Sequence, residues 1–354
     1  MPPRRRKRID PALFELPVDR IRAGEFSDAY FNRARDALRA NERGARVTWQ
    51  VSAKRGGWVG GIDEAVAILK LCSDDCSTLE MHALYEGDRV EAWDTVLHVE
   101  GEYATFAHLE TLAIGVLAHR TRVCTNVRLL VDAARPKPIY FFGARSDHPL
   151  QQPGDGLSAH IGGAASVSTD AQGALSGKKG VGTVSHSLIA AFGGDTVAAA
   201  LAVAETLPDD VPLIALVDYE NDSVATSLAL ARALDGKLWA VRLDTAEFMV
   251  DTSVVSMMGT FPPTGVNPAL VWNVRNALDG EGFGDVKIVA SGGFNVARIR
   301  TFEDEGVPVD AYGVGASVYD GRWDFAADVV RLDGKPQGKA GREFRANTRL
   351  EKVK

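Results

Sequence analysis

Five short apolar runs beyond Pro136 of a 354-residue chain lead into residues able to hold charge or close on an anion. Run 139–142 opens onto Gly143-Ala144-Arg145, run 213–217 ends at Asp218, and run 238–243 carries Arg242 and ends at Asp244. Run 286–290 opens onto Ser291-Gly292-Gly293, and run 311–314 carries Gly313-Val314-Gly315. If these runs are barrel strands, the active site lies at their carboxyl ends, where these residues fall. One arginine, two acids and two glycine turns on different strands can together bind a magnesium-chelated, phosphorylated sugar. The glycines let backbone N–H groups close on a phosphate, and Asn295 can open a helix whose positive end faces the same anion. The segment Gly180-Val181-Gly182-Thr183-Val184-Ser185-His186-Ser187 adds a histidine in a hydroxyl-rich turn, able to donate to a phosphate or attack one.

Each feature has a plain structural alternative. Glycine turns after strands are often only turns, Asp218 and Asp244 can be helix N-caps, Arg145 can be a surface ion-pair partner, and His186 can be a buried structural histidine. Pairing the Ser291–Gly293 turn with Gly313–Gly315 on the last strand favours a phosphate cup.

The elements that must position these residues follow from periodicity. Segment 26–40 is rich in helix formers, and 46–53 alternates Val47, Trp49 and Val51 with Thr48, Gln50 and Ser52 in the pattern of a half-buried strand. A helix over 62–71, alternation through Leu79, Met81, Ala83 and Tyr85, and a Gly87-Asp88 turn into a strand through Val90 toward Val99 complete an α+β layer with an antiparallel sheet. Helical spacing then runs over 103–134. Beyond Pro136 the apolar runs alternate with helical segments 223–234, 268–278 and 296–305, the rhythm of buried parallel strands. The expected fold is α/β: a (β/α) barrel over 103–321, an N-terminal α+β domain over 23–102, a basic, frayed segment over 1–22, and a C-terminal segment 322–354 that returns to the N-terminal domain.

Composition excludes several classes. A hydrophobic fraction of 45% with 25% charged residues is that of a folded protein, not a disordered one. Forty basic against 47 acidic residues, net charge -7, argues against a nucleic-acid-binding body despite Arg4, Arg5, Arg6, Lys7 and Arg8. No apolar run reaches the ~18 residues of a membrane span, and the basic start is not followed by the apolar stretch of a secretory signal, so a cytoplasmic protein is expected. Three cysteines, with only Cys72 and Cys76 close in sequence, are read as reduced thiols, and seven histidines without an HxxxH spacing argue against an imidazole metal site.

Taken in order, Ser27-Asp28-Ala29-Tyr30, Glu86-Gly87-Asp88, Val99-Glu100-Gly101, Phe142-Gly143-Ala144-Arg145, Gly182-Thr183-Val184-Ser185-His186-Ser187, Val241-Arg242-Leu243-Asp244, Ser291-Gly292-Gly293-Phe294 and Gly313-Val314-Gly315 resemble the nicotinate phosphoribosyltransferases, which have the type II phosphoribosyltransferase fold. The resemblance extends to about Gly321. It implies formation of nicotinate mononucleotide and pyrophosphate from nicotinate and 5-phosphoribosyl-1-pyrophosphate, coupled to ATP hydrolysis, in NAD biosynthesis. It further implies that Tyr30 and Phe142 sandwich the pyridine ring, Tyr30 within a neighbouring subunit's site, in a homodimer or higher homo-oligomer. Arg145, Thr183 and Arg242 would surround nicotinate and the ribose phosphate, and His186 would be the histidine phosphorylated by ATP. Asp218 and Asp244 would face the ribose hydroxyls and Mg²⁺, and the loops of Ser291, Gly292, Gly293, Gly313 and Gly315 would hold the 5-phosphate. Lys178 and Lys179 are candidate cations for the pyrophosphate. The sequence departs from the family's pattern in two ways: Ser146 and Asp147 follow Arg145 where a second basic residue is common, and Ala316 stands where threonine is frequent, with Ser317 adjacent. Nicotinamide or quinolinate as the base, and a catalytically silent ligand-binding homologue, remain the alternatives.

Overall fold

The computed structural model describes residues 7–208 and 211–354. The chain forms two compact units. The first comprises residues 1–126, 157–162 and 320–354, and the second 127–156 and 163–319. The division after residue 126 falls inside the helix Glu110–Ala134, whereas the sequence placed a boundary at 102–103. Among the described residues no helix is long and apolar enough to cross a membrane.

The first unit is built on a six-stranded antiparallel sheet in the order Lys335–Pro336, Phe325–Leu332, Arg46–Ala53, Thr95–Glu102, Glu80–Ala83, Glu351–Lys352. Its C-terminal strands thus flank the N-terminal ones on both sides. Trp49, Val51, Leu97 and Val99 pack with Ile68, Leu69, Leu109 and Leu117 of the adjoining helical segments into one core. The strand Arg46–Ala53 was expected to be half-buried, but its polar face is covered too. Thr48, Gln50 and Ser52 are all buried, and the C-terminal segment lies against Gln50. Gln50 donates from Nε2 to the Glu343 carbonyl and accepts at Oε1 from the Arg345 amide, and His98 stacks on Phe344 at 4.8 Å. The helix expected over 103–134 begins instead with two 3-10 turns, Tyr103–Thr105 and Ala107–Leu109, before the α-helix proper.

The basic start is corrected in part. Arg8 donates from Nη1 to Asp63 Oδ1 at 2.7 Å and from Nη2 to the Ala83 carbonyl, and its guanidinium lies 4.4 Å over the Tyr85 ring. The Ile9 amide donates to the other Asp63 oxygen, and Val18–Arg22 is helical. Residues from Arg8 to Arg22 are therefore fastened, not frayed; the expectation for residues 1–6 lies outside the described residues.

The second unit is a six-stranded parallel sheet in the order Ser166–Val167, Ile139–Phe141, Ala311–Val314, Lys287–Ala290, Leu238–Leu243, Leu213–Leu216. The strands are continuous apolar runs because helices cover them. Helices Thr196–Thr206, Ser223–Leu234, Pro268–Gly280 and Val296–Asp304 alternate with them, capped in turn by the side chains of Asp195, Asp222, Asn267 and Asn295. An irregular extended segment joins the two outer strands. The Val181 amide donates to the Val167 carbonyl at 2.7 Å and the Val184 amide to the Ile214 carbonyl at 3.0 Å, so residues 180–184 curl the sheet toward a barrel.

Candidate active site

Arg242, on the strand Leu238–Leu243, organises the carboxyl end of the second unit. Its Nε donates to Ser291 Oγ at 2.8 Å, Nη1 to Thr183 Oγ1 at 3.3 Å, and Nη2 to Asp244 Oδ2 at 2.9 Å. The guanidinium carbon lies 4.9 Å over the ring of Phe142. Ser291 Oγ in turn donates to Asp244 Oδ1 at 2.7 Å. The two residues alternate out of one strand on the same face, which is why Arg242 and Asp244 meet. Arg242, Thr183, Asp244, Ser291 and Phe142 thus form one network contributed by four segments. Asp244 was expected to face sugar hydroxyls and Mg²⁺, yet both of its oxygens already accept hydrogen bonds, so its first effect is to orient Arg242 and Ser291.

Asp218 follows the strand Leu213–Leu216 and accepts at Oδ1 from His186 Nε2 at 3.1 Å, with 9% of its side chain exposed against 45% for His186. Burial holds the Asp218 carboxyl above the usual carboxylate range; His186 opposes that shift and the nearby charge of Asp244 adds to it. Neither Asp218 nor Asp244 caps a helix: the helix after Asp218 is capped by Asp222. Nor is His186 a buried structural residue. Ser185 caps its short helix His186–Ala191 and leaves the imidazole half-exposed.

The two glycine turns are backbone sites. Gly292 (φ 85°) and Gly293 (φ 76°) adopt the left-handed conformation that favours glycine. Among the described residues the amides of Gly292, Gly293, Phe294 and Gly315 donate to no acceptor. They stand beside the free amides of the helix Val296–Asp304, where Asn295 accepts from the Arg298 amide. Gly313 and Gly315 answer a different demand, close approach: a Cβ at Gly313 would lie 2.4 Å from Phe142 Cε2, and one at Gly315 3.0 Å from the Phe142 carbonyl oxygen. Ser317 Oγ is turned back onto the Phe294 carbonyl at 2.8 Å.

Other expected residues are placed as follows. Arg145 is exposed and makes no hydrogen bond or ion pair among the described residues, so the surface ion-pair alternative does not hold for it. Lys178 is corrected: its Nζ donates to the carbonyls of Ala164 (3.0 Å) and Ala165 (2.8 Å), which ties down the loop and leaves Lys179 as the exposed cation of the pair. Tyr30 belongs to the first unit, at the start of helix Ala29–Ala40, and is 60% exposed with its ring 4.2 Å from Phe31. Asp28 secures that helix start by accepting from Thr111 Oγ1 at 2.9 Å. Sequence reasoning missed Arg298, which donates to the Gly292 and Val266 carbonyls. The available signal was an arginine in the first turn of the helix behind the glycine loop, a position where the helix dipole disfavours positive charge.

Comparison with known proteins gives this geometry a lineage. The profile of the quinolinate phosphoribosyl transferase N-terminal domain matches residues 28–121. A nicotinate phosphoribosyltransferase of Mycobacterium tuberculosis is 30% identical over 268 residues, covering 72% of this chain and 54% of that protein. The corresponding Bacillus subtilis protein is 22% identical over 240 residues, 67% of this chain and 45% of its own length. The chain spans about half the length of the curated relatives it matches. Among solved structures, a nicotinate-nucleotide pyrophosphorylase from Pyrococcus furiosus superposes with a TM-score of 0.80 at 32% identity, covering 96% of this chain and 85% of that one. Human nicotinic acid phosphoribosyltransferase, at 18% identity and a TM-score of 0.66 over 88% of this chain and 76% of its own, shares the fold. With a solved relative 32% identical that is covered to 85%, and curated nicotinate phosphoribosyltransferases matching most of this chain, this chain belongs to the family of the nicotinate phosphoribosyltransferases and nicotinate-nucleotide pyrophosphorylases.

Proposed function

We propose that the chain transfers the 5-phosphoribosyl group of 5-phosphoribosyl-1-pyrophosphate to nicotinate. The lone pair of the pyridine nitrogen forms the bond to C1, the C1–O bond to pyrophosphate breaks with its electrons going to the leaving oxygen, and the products are nicotinate mononucleotide and pyrophosphate. The observation that carries this reading is Arg242, fixed by three acceptors beneath the Phe142 ring and beside the open amides of Gly292 and Gly293. Phe142 offers a face for the pyridine, the glycine loops and helix start offer N–H groups to the 5-phosphate, and Arg242 places fixed positive charge between them. The pyridine nitrogen is itself the nucleophile and no side chain need act as one, so catalysis rests on alignment and electrostatics.

Mg²⁺ fits as a shared ligand. Asp218 has one oxygen engaged by His186, and burial, then the charge of its neighbour Asp244, disfavour its ionisation, a situation a divalent cation relieves. Two carboxylates suit a magnesium held mainly by substrate phosphates, not an all-protein cage. When bound, the metal would take up charge on the leaving pyrophosphate. ATP coupling through phosphorylation of the half-exposed His186 imidazole, and Tyr30 serving a partner subunit's site, belong to the same reading.

Quinolinate is the second reading, since the matched N-terminal profile bears its name. Its two carboxylates call for two free cations near the ring. Arg242 is engaged by Asp244 and Lys178 by backbone carbonyls, leaving Arg145 as the free guanidinium on the Phe142 loop. That favours a base with one carboxylate. Pyrophosphate release with nicotinate, nicotinamide and quinolinate in parallel, each with and without ATP, tests the proposal. Nicotinate should be preferred over nicotinamide by roughly 10- to 150-fold, from a charge-assisted pair at Arg145 of about 1.5 to 3 kcal/mol. Equal turnover of the two would remove the role given to Arg145, and preference for quinolinate would move the protein to the other reading.

A further inference from the structure

Arg298 occupies a position that helix electrostatics disfavours, yet it is half-buried and fully directed. Its guanidinium lies 4.3 Å over the Phe294 ring, Nη1 donates to the Gly292 carbonyl, and Nη2 donates to the Val266 carbonyl. Two glycines line it, required there by their left-handed φ of 76° at Gly293 and 66° at Gly265; a Cβ on Gly293 would lie in ordinary contact, 3.5 Å from Nη1, and one on Gly265 3.6 Å from Nη2. The Gly292 carbonyl and the Gly293 N–H belong to one planar trans peptide, so they point in opposite directions. Pinning the carbonyl on the Arg298 side therefore aims the Gly293 N–H away from Arg298, and that N–H has no acceptor among the described residues.

We propose that Arg298 is a positioning residue for the substrate's 5-phosphate: by holding the Gly292 carbonyl it sets the direction in which the glycine loop presents its amides. The same guanidinium ties the loop to Val266, at the end of the segment that starts beside Asp244. The inference rests on the proposed transfer reaction only for the identity of the phosphate. Arg298 does not touch substrate itself; it acts through the backbone.

The test uses the full chain with ribose 5-phosphate as the probe, measured by calorimetry, alongside steady-state kinetics. Arg298→Met should weaken ribose 5-phosphate binding by roughly 10- to 100-fold, as loss of aligned amides facing a dianion requires. Arg298→Lys, which keeps the charge but cannot reach both carbonyls in a fork, should fall between. The KM for 5-phosphoribosyl-1-pyrophosphate should rise in step while that for nicotinate stays put, and guanidinium ion should restore part of the binding lost in Arg298→Ala. In the parent protein ribose 5-phosphate should slow hydrogen exchange at the Gly293 amide, a measurement that needs no variant. An unchanged dissociation constant in whichever variant keeps the parent's circular dichroism, or Gly293 exchange indifferent to the ligand, overturns the assignment. A parent that binds ribose 5-phosphate with the expected Arg298 dependence but releases no pyrophosphate overturns the transferase reading and leaves Arg298 in place.

Discussion

Gly313→Ala adds one methyl group to a buried strand and isolates the contribution of Phe142. The new Cβ would lie 2.4 Å from Phe142 Cε2, 2.7 Å from Cδ2 and 3.2 Å from Ser291 Cβ. Carbon atoms rest at about 3.5 to 4.0 Å, so the Phe142 ring must move by about 1 Å or more. Gly313 is not in the left-handed region, so alanine suits the strand itself and the disturbance falls on the ring. Two consequences follow. Overpacking should cost about 1 to 3 kcal/mol of stability. A displaced ring should also forfeit an aromatic stack of about 0.5 to 1.5 kcal/mol, raising the KM for nicotinate roughly 2- to 10-fold. Pyrophosphate release against nicotinate concentration, with thermal melts in parallel, reads both. The companion Phe142→Leu should recover the lost stability in the double variant without recovering nicotinate affinity, so the two changes should be non-additive in melting temperature. A Gly313→Ala protein with the parent's KM for nicotinate would refute the placement of the base on Phe142.

Three further outcomes are expected. Asp251 is fully buried and accepts from the Ser223 amide, the Ser223 hydroxyl and the Ser253 amide, so Asp251→Ala should leave buried donors unmet and cost at least about 2 kcal/mol in urea melts; a loss below 0.5 kcal/mol would contradict this. Desolvation, and then the charge of Asp63, push the Glu86 carboxyl up to about 8, opposed by hydrogen bonds from the Asp63 and Gly61 amides. A raised folded-state value means stability is lost as pH rises from the ordinary glutamate range through about 8, so the melting temperature should fall across that window and the fall should flatten in Glu86→Gln. His186→Ala should abolish stimulation by ATP while slow ATP-independent transfer persists, and an acid-labile label from γ-labelled ATP present in the parent should be missing; a rate that ignores ATP in the parent would reduce His186 to a partner of Asp218.

How much of this was legible depends on the kind of signal. The parallel strands of the second unit were readable because burial on both faces leaves uninterrupted apolar runs, and the residues after them fell where the barrel rule puts an active site. Ser166–Val167 was not readable, being two residues long with no periodicity to detect. The buried polar face of Arg46–Ala53 was equally invisible, since the segment covering Gln50 lies nearly 300 residues away in sequence and covers it through backbone groups. Lys178 looked like an anion ligand because sequence shows a charge but not its acceptors, here two carbonyls. Arg298 carried a signal only to a reader asking why a cation stands at the wrong end of a helix. The meeting of Asp244 with Arg242 and Ser291 was not legible, because it depends on side-chain directions that spacing alone does not specify.

The irregular segment that joins the outer strands of the second unit makes its ring uneven. Elsewhere neighbouring strands are stitched by ladders, one of them with a register shift at Leu213–Ile214, but across residues 180–184 the seam is made by the Val181 and Val184 amides, with Gly180 and Gly182 beside them. A wall with so few stitches opens at lower free energy than the rest, on its own and without unfolding the unit. Thr183, which meets Arg242, is carried on that seam, and His186, which meets Asp218, begins just beyond it. Breathing of the wall would therefore part the Thr183–Arg242 contact before any ladder yields. Amide exchange should be fastest there among the sheet-lining segments and slowest in Leu238–Leu243, so that the threonine arrives at the site on a hinge while the arginine it meets stays fixed.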